Sequence, residues 1–378
     1  MGKNHLTLKK IEIAGYKSIR SAGESIHFGD ITVLLGANGS GKSNLVSFFR
    51  LLKTFDKKEL QKFIAKQGGA SSLLYYGSKV TESINFTVDF EDSTDSKNEK
   101  IAYVSSLSYG VPDRLVFDKE KVLYQKDNLT VPLEYTVSEG TEESQLTNNT
   151  YPIAKKVRDA FIQIQIYQFH DTSDTAKIKT SGYVDDCRIL RSDAGNLAAF
   201  LKAMKENANY KRYFERIETH IRRVMTQFKH FDLETISENR NNVRLNWVDE
   251  TNGILFGPHQ ISDGSLRFMA LTTLLLQPPE MCPHIIVLDE PELGLHPSAI
   301  AELAGMIHTA SKHCQIIIAT QSPRLVDEFA LDDIVIVERD EKDHCSHFRK
   351  LDQKQLKDWI SRYSLSELWE KNVLGGHP

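Results

Sequence analysis

Residues 36–43 read GANGSGKS and place glycine, lysine and serine at every fixed position of the pattern G-x-x-x-x-G-K-[ST]. They follow the β-branched apolar run Ile31–Leu35 and precede a stretch with apolar residues at helical spacing, so they lie between a predicted strand and a predicted helix. Glycine lets successive backbone N–H groups converge on phosphate oxygens, and a helix start adds its positive end. The pattern therefore predicts a phosphate-binding loop.

The side chains of this loop indicate ATP and Mg²⁺ as the ligands. Lys42 is expected to reach the β- and γ-phosphates as a point charge, and the Ser43 hydroxyl to ligate Mg²⁺. The predicted nucleotide-binding set of the loop is Asn38, Gly39, Ser40, Gly41, Lys42, Ser43 and Asn44.

Two carboxylates, Asp289 and Glu290, end the apolar run HIIVL at residues 284–288. Burial of unpaired charges at the end of a strand costs several kcal/mol, so two carboxylates at this position indicate a functional role. In a phosphate-loop protein Asp289 would hold Mg²⁺ together with Ser43, and Glu290 would orient and deprotonate the attacking water. The alternative is that both carboxylates only end a strand at the surface.

Composition limits the class of protein without naming a function. The 378 residues suffice for one large or two ordinary domains, and 40% hydrophobic with 26% charged residues is usual for a soluble globular protein. A net charge of -4 argues against a polybasic nucleic-acid binder. No signal peptide or long apolar run is visible, so we expect a cytoplasmic protein. The four cysteines show no zinc-site spacing and are expected to be ordinary reduced thiols.

The periodicity along the chain divides it into five segments. Residues 1–80 form the first half of an α/β domain with the phosphate loop, residues 81–150 an inserted antiparallel β meander, and residues 151–250 a strand, a connector and basic helices. Alternating strands and helices in 251–345 complete the α/β domain, and 346–378 form an amphipathic tail.

Three of these regions carry more specific expectations. The pattern at 196–231 predicts two helices with a break at 207–209, the second one basic, which is either a solvated face or a nucleic-acid surface. Residues 139–150 have almost no apolar content and are expected to form a mobile loop. In the tail, Trp359 and Trp369 are expected to pack on the core.

Residues 262–265, SDGS, are a further group of small residues before a predicted helix. A helix N-cap explains them equally well when they are considered alone. Their position upstream of the carboxylate strand resembles that of the S-G-G-[EQ] signature of ABC ATPases of the RecF/SMC-like branch, with Asp263 replacing the first glycine.

The resemblance is stronger to stand-alone bacterial RecF-like ATPases that include relatives in anti-phage defence. The blocks that carry it are SDGSLRF at 262–268, LDEPELGLHP at 288–297 and ATQSP at 319–323, and it extends from IEIAGYKSIR near the start to YSLSELWEKNVLGGHP at the end. It implies an ABC-type P-loop ATPase head with a mixed β-sheet, an inserted meander and a helical subdomain.

The resemblance also implies an ATP sandwich homodimer, in which Ser262, Gly264 and Ser265 of one subunit close on the nucleotide held by the other. Gln168 is the counterpart of the glutamine that senses the γ-phosphate and contacts the metal, with His170 or Asp171 as alternatives.

Two further positions depart from the family or leave their role open. Gln321 stands where many ABC ATPases have a histidine, and a glutamine can hydrogen-bond the γ-phosphate or water but cannot act as an acid or base. His296 lies in the expected dimer-contact loop, although a turn at a helix N-terminus explains it equally well.

The functional expectation is an ATP-driven switch that acts on DNA or on a protein effector in DNA repair or anti-phage defence. A nuclease or toxin would be a separate protein, because about forty residues remain after Glu338. One alternative is a nucleotide-sensing scaffold with little hydrolysis. Another is a transporter ATPase subunit, which predicts a membrane partner and a compact helical insertion and fits the long meander poorly.

Overall fold

The structure is a computed structural model that describes residues 6–92, 99–126, 131–236, 239–351, 353–360 and 362–376. It contains two compact units. The first comprises Met1–Ile166, His284–Val287 and Ile317–Pro378, and the second comprises Tyr167–Pro283 and Leu288–Ile316. Leu129 and Thr130 of the predicted meander, and His377 and Pro378 of the predicted tail, lie outside the described residues.

A six-stranded antiparallel sheet forms one layer of the first unit, with strand order β2-β1-β4-β5-β6-β7. The predicted meander is present, and it continues the sheet begun by the first two strands. The strands are β1 (Leu6–Ala14), β2 (Glu24–His27), β4 (Ser83–Asp92), β5 (Glu99–Gly110), β6 (Arg114–Gln125) and β7 (Leu133–Ser138).

The second sheet contains the strand that leads into the phosphate loop, and its order is β18-β17-β3-β16-β15-β8. It is mixed, because β17 runs parallel to β3 and antiparallel to β18. Every residue of β3, β15 and β16 is buried, as expected for strands covered on both faces. The strands are β3 (Ile31–Leu35), β8 (Ile164–Tyr167), β15 (Ile285–Asp289), β16 (Gln315–Thr320), β17 (Ile334–Arg339) and β18 (Ser346–Lys350).

Helix α1 fills the core of the first unit. It buries eight of its eleven residues. Phe48 of this helix packs edge to face against Phe86 of the meander, and Phe55, just after the helix, stacks on the same ring. The helices of this unit are α1 (Lys42–Leu52), α2 (Thr54–Lys57), α3 (Leu60–Lys66), α4 (Pro152–Ile162), α9 (Pro323–Val326), α10 (Gln353–Ile360) and α11 (Leu365–Glu370). The predicted tail begins with strand β18, and two short helices follow in the part that the structure describes. Trp369 is buried as predicted, whereas Trp359 is 44% exposed, so the prediction for Trp359 is wrong.

The segment 139–150 is fastened to the first unit, contrary to the expectation of a mobile loop. Ser144 is fully buried and donates to the buried carboxylate of Glu120, which also accepts a hydrogen bond from the Gln145 N–H at 3.0 Å. Glu143 accepts the backbone N–H groups of Leu60 and Gln61, at 2.8 and 3.0 Å, at the start of α3. The polar residues of this segment therefore bind buried partners that composition does not reveal.

The second unit is mainly helical, with two small sheets of order β10-β13-β14 and β11-β12-β9. The predicted pair of helices is present with its break after Glu206, but the second helix ends at Val224. Residues 228–231 belong to a strand, so the helical prediction is wrong for the end of the segment. The helices are α5 (Leu197–Glu206), α6 (Lys211–Val224), α7 (Asp263–Leu276) and α8 (Pro297–Ala310). The strands are β9 (Gly182–Tyr183), β10 (Phe228–Asp232), β11 (Thr235–Ile236), β12 (Asn239–Val243), β13 (Asn246–Asp249) and β14 (Leu255–Phe256).

The basic residues of helix α6 lie on its exposed face. Phe214, Ile217 and Ile221 are buried at helical spacing, which leaves the cationic side chains on the opposite, exposed face. None of the helices in the described part of the chain combines the length and apolarity that a membrane crossing requires.

Candidate nucleotide-binding site

The phosphate loop leaves β3 at Leu35 and enters α1 at Lys42 in the first unit. Gly41 has a φ of 118°, in the region that favours glycine, and a Cβ there would lie 2.0 Å from the Ser346 Oγ. At Gly36 a Cβ would lie 2.3 Å from the Val337 carbonyl oxygen. Both positions therefore require glycine, because a side chain would overlap atoms that have no room to move.

Lys42 is 5% exposed and lies inside the curl of the loop. Its Nζ donates to the carbonyl oxygens of Gly36, at 2.6 Å, and Ala37, at 2.8 Å. The buried Ser40 Oγ has no hydrogen-bond partner among the described residues. A buried ammonium and an unsatisfied hydroxyl within one glycine-rich loop fit an anionic ligand, since phosphate oxygens can accept from both.

The open side of the loop is accessible from solvent. Asn38, Gly39 and Ser43 are exposed, and Asn44 is half-buried. A groove of about 370 Å³ runs beside Asn38 to Ser40, and Glu338 and Arg339 belong to its lining. The Ser43 hydroxyl at the start of α1 can therefore meet a metal ion that enters with a nucleotide.

Two distant segments brace the loop, and sequence analysis missed both. The Ser346 Oγ on β18 donates to the Ser40 carbonyl oxygen at 2.6 Å and is 2.6 Å from the Ser18 Oγ, which in turn accepts from the Asn44 amide at 2.6 Å. The tail contributes the Gly376 carbonyl oxygen, which accepts the Ala37 N–H at 2.9 Å. The pair Gly375-Gly376 was the only visible signal of the second brace.

Gln321 also belongs to the first unit. It is half-buried and follows β16, the strand that pairs with β3 in the sheet, in the short loop before α9. Ser322 caps α9 by accepting the Leu325 N–H at 3.3 Å. This cap fixes the loop that carries Gln321.

Asp289 and Glu290 lie in the second unit, at the carboxyl end of β15. Asp289 is 8% exposed, whereas Glu290 is half-buried and has a φ of 46°. Left-handed backbone at a residue other than glycine is uncommon and often occurs at functional sites. The strand end therefore buries one carboxylate and turns the next one outward.

His170 connects the predicted glutamine to the carboxylate strand. Its Nε2 is 3.1 Å from the Asp289 backbone oxygen and its Nδ1 is 3.2 Å from the Gln168 Nε2. Because the carbonyl can only accept, the ring proton is on Nε2 and the Gln168 amide donates to Nδ1. Gln168 itself is exposed.

Asp171 is the remaining alternative for this position and is engaged elsewhere. Its Oδ1 accepts from the Ser173 hydroxyl at 2.7 Å and from the Ser173 N–H at 3.1 Å. These hydrogen bonds hold the pKa of Asp171 below its usual range. The Asp171 carboxylate therefore stabilises the turn in which it lies.

Arg267 joins two loops of the second unit, a role that sequence analysis did not assign. Its Nε donates to the Phe169 carbonyl oxygen at 2.9 Å. Its Nη2 donates to the His170 carbonyl oxygen at 3.0 Å and to the Thr172 Oγ1 at 3.1 Å, and its Nη1 donates to the Leu293 carbonyl oxygen at 3.1 Å. The position of Arg267 within the block SDGSLRF was the only signal for it in the sequence.

The signature-like residues begin α7. The Ser262 Oγ accepts the Ser265 N–H at 3.2 Å and donates to the Ser265 Oγ at 2.8 Å, so Ser262 is a helix N-cap. A Cβ on Gly264 would lie 2.3 Å from the Gly294 carbonyl oxygen. The small residues therefore allow α7 to contact the turn that follows Glu290.

His296 caps the next helix, α8. Its Nδ1 is 2.9 Å from the Ser298 Oγ and accepts the Ser298 N–H at 3.4 Å. The helix-start interpretation of this residue is therefore realised in the structure.

Comparison with known structures shows that this fold is similar to that of SMC head domains. The structure is similar to that of an Smc head bound to the C-winged helix domain of ScpA, with 16% identity, coverage of 93% of this chain and 99% of that one, and a TM-score of 0.57. A Smc head from Pyrococcus furiosus with an extended coiled coil, bound to the C-terminal domain of ScpA, matches with 15% identity, coverage of 94% and 99%, and a TM-score of 0.56. The SMC head domain from Thermotoga maritima matches with 17% identity, coverage of 91% and 99%, and a TM-score of 0.51.

The fold and the phosphate loop together define a P-loop ATPase head of the SMC/RecF-like, ABC-type class. The chain belongs to the family described as "AAA domain, putative AbiEii toxin, Type IV TA system", whose model matches residues 31–327. A search of curated proteins finds no match.

Proposed function

We propose that this protein binds and hydrolyses ATP, and that ATP closes a homodimer which switches an effector. The observation that carries the proposal is the phosphate loop, in which two glycine positions admit no side chain and Lys42 is held at the centre. Family membership over residues 31–327 supports the same chemistry.

The binding roles follow from the residue types. Backbone N–H groups of the loop and Lys42 hold the triphosphate, with Asn38, Ser40 and Asn44 at its border. Ser43, Asp289 and Gln168 supply the oxygen ligands that suit Mg²⁺. When bound, Mg²⁺ neutralises phosphate charge.

The catalytic roles are assigned to Glu290 and Gln321. Glu290 orients the attacking water and accepts its proton, while Gln321 donates a hydrogen bond to the γ-phosphate or the water. Because glutamine cannot take up a proton, Gln321 contributes position only, and slow turnover is expected.

In the closed homodimer, Ser262, Gly264 and Ser265 of each subunit contact the nucleotide of its partner. The Ser262 hydroxyl and the Ser265 N–H are engaged with each other at the N-terminus of α7. The groups assigned to the anion are therefore the Ser265 hydroxyl proton and the backbone N–H groups that precede Ser265 in the first turn. ATP shifts the equilibrium only by the difference between its affinities for the closed and open states.

The effector is a DNA-associated or protein partner in DNA repair or anti-phage defence, and a nuclease or toxin supplied by a separate cytoplasmic chain is one form of it. The exposed cations available for DNA are those of α6 and the following strand: Lys211, Arg212, Arg216, Arg222, Arg223 and Lys229. Arg223 is already paired with Glu302 at 2.9 Å, and Arg222 donates to the Lys229 carbonyl oxygen at 2.7 Å, so the other four are the better candidates. The alternative is a nucleotide-sensing scaffold that holds its effector with little hydrolysis.

Phosphate release from the full chain tests the proposal. Glu290→Gln is expected to lower the rate by about 100-fold or more, since a positioned base contributes about 10²–10⁴-fold, while ATP binding is retained. Lys42→Ala is expected to abolish ATP binding itself. Glu250→Gln and Lys66→Ala, at exposed positions, are matched controls that should behave as wild type.

The outcomes separate the candidate functions. ATP binding that depends on Lys42, combined with no phosphate release above the level of Glu290→Gln, would favour the scaffold. Equal activity in wild type, Lys42→Ala and Glu290→Gln would refute the assignment of this site.

A further inference from the structure

The turn between β17 and β18 gathers three side chains of metal-binding type. One ligand atom each from Asp343, Cys345 and His347 lies within 4.8 Å of the others. The Cys345 Sγ is 3.1 Å from the His347 Nε2, and the Cys345 N–H donates to the Asp343 Oδ1 at 3.1 Å. All three residues belong to the first unit.

Glu24 orients the histidine from the neighbouring strand β2. Its Oε1 is 2.8 Å from the His347 Nδ1, and its Oε2 accepts the Phe348 N–H at 3.0 Å. A carboxylate can only accept when ionised, so Nδ1 carries the proton and the lone pair of Nε2 points toward Cys345. Metal-binding histidines are usually held in this way by a carboxylate on the second ring nitrogen.

The same order of groups, Cys345, His347 and Glu24, also resembles a nucleophilic triad. One observation argues against catalysis. Cys345 is fully buried. A reactive cysteine requires an accessible thiolate in electropositive surroundings.

We propose that Asp343, Cys345 and His347 bind one Zn²⁺ per chain, with solvent at the fourth position. One sulfur, one imidazole nitrogen and one carboxylate oxygen form a ligand set that suits this ion. Asp343 and His347 are partly exposed, which gives the ion a path from solvent.

Arg20 is the cation that would oppose the site. Its Nη1 lies 3.4 Å from the Asp343 Oδ2, and the two side chains are 44% and 42% exposed. An ion pair between side chains this exposed contributes little, so a divalent ion with three ligands displaces it.

Zn²⁺ bound at this site stabilises the phosphate loop. Ser346 lies between two of the ligands, and its Oγ donates to the Ser40 carbonyl oxygen. A metal ion that fixes Cys345 and His347 also fixes Ser346, so local opening of the loop becomes less frequent.

Co²⁺ titration of the chelator-treated full chain tests the site, because a cobalt–thiolate bond gives a charge-transfer absorption in the near ultraviolet. We expect this band to saturate at one equivalent, Zn²⁺ to remove it by competition, and Cys345→Ser to abolish it. Glu24→Gln is expected to weaken Zn²⁺ binding by about 10–100-fold, as is usual for loss of a partner of a ligating histidine.

Two variants are matched controls. Cys187→Ser removes a different thiol, and His344→Asn removes the neighbouring histidine while keeping a residue that tolerates its φ of 53°. Both should retain the band. Absence of the band in wild type, or its persistence in Cys345→Ser, would overturn the proposal, and if Cys345→Ser does not fold, His347→Gln is judged by the same criterion.

Hydrogen exchange tests the link to the phosphate loop without nucleotide. Zn²⁺ is expected to slow amide exchange in peptides covering residues 36–44 in wild type but not in Cys345→Ser. Unchanged exchange despite stoichiometric Zn²⁺ binding would refute the link, and the metal site would remain.

Discussion

Gly41 occupies the most constrained backbone position of the phosphate loop. With a φ of 118° and the Ser346 Oγ only 2.0 Å from any added Cβ, Gly41→Ala combines backbone strain with a steric overlap. We expect a loss of about 1–3 kcal/mol in the free energy of unfolding. Displacement of Ser346 from the Ser40 carbonyl should also weaken ATP binding, and denaturant titration and nucleotide titration measure the two effects.

Gly39→Ala is the matched control for this prediction. Gly39 also has a positive φ, 78°, but nothing lies within 4 Å of an added Cβ. Only the left-handed backbone is penalised, at about 1–2 kcal/mol. If the two variants lose equal free energy of unfolding, the overlap with Ser346 is not what destabilises Gly41→Ala.

Lys53 gives the first unit a pH-dependent stability. Burial first, and the nearby charge of Lys57 second, lower its pKa from the usual 10.5 to about 8. Between these values the unfolded chain holds more protons than the folded one, so stability should rise as pH increases from about 8 to 10.5. Below pH 8 the charged amine carries its full desolvation cost.

Lys53→Met is therefore expected to stabilise the protein at pH 7 by about 1–3 kcal/mol, since one pKa unit corresponds to about 1.4 kcal/mol. The lost hydrogen bond from Lys53 to the Gln165 Oε1 reduces this gain. Denaturation curves at pH 7, 8.5 and 10 should show the rise in wild type and in the exposed control Lys66→Met, but not in Lys53→Met. A parallel rise in all three proteins would contradict the assignment to Lys53.

At the scale of elements, Arg267 holds α7 to the loop after β8 and to the turn after β15. Lysine would retain the charge but not the planar fork that reaches four acceptors. Arg267→Lys should lower the free energy of unfolding by about 2–4 kcal/mol, and it should reduce ATP hydrolysis more than ATP binding if these loops carry Gln168 and Glu290 into position. Denaturation and phosphate release measure the two effects.

Arg324→Lys supplies the comparison, because Arg324 is exposed at the start of α9. Its stability should stay within about 0.5 kcal/mol of wild type. A loss in Arg267→Lys no larger than that in Arg324→Lys would show that the four hydrogen bonds are not what joins the loops.

Sequence periodicity was sufficient to predict some elements of this fold and insufficient for others. Strands β3, β15 and β16 were predicted because short, almost continuous apolar runs of five or six residues are typical of strands buried on both faces. The fastening of 139–150 was not predicted, because the buried Glu120 that it satisfies lies on β6. A polar segment looks mobile in sequence whenever its partners are distant in the chain.

For the whole molecule, the proposed sandwich predicts complementation between two inactive subunits. Lys42→Ala lacks a working phosphate loop, and Ser265→Glu places a negative charge where the partner's phosphates should lie. Mixed in equal amounts, they should recover about one quarter of wild-type ATPase activity, because half of the dimers are mixed and each has one intact site of two.

Each variant measured alone is the control and should be inactive. Light scattering with the Glu290→Gln variant and ATP reports dimer formation directly. Activity that does not rise on mixing, with folded subunits and ATP present, would mean that the two motifs do not act in trans.

The sequence alone determined the class of this protein, because a phosphate loop is contiguous in the chain. Its eight residues, between a strand and a helix, specify both the backbone conformation and the kind of ligand. The same holds for the paired carboxylates at a strand end and for the caps at Ser262 and His296. These features depend on neighbours within a few positions, which spacing reveals.

Only the tertiary structure decided what braces the site. Ser18, Ser346 and Gly376 brace the phosphate loop, Arg267 joins two loops, and Glu24 on β2 contacts His347 on β18, which belongs to the other sheet. The scattered cysteines gave no zinc-site spacing, yet folding brings a carboxylate from β2 to the histidine beside one of them. Long-range hydrogen bonds join residues whose separation along the chain carries no periodicity, so packing alone can assign them.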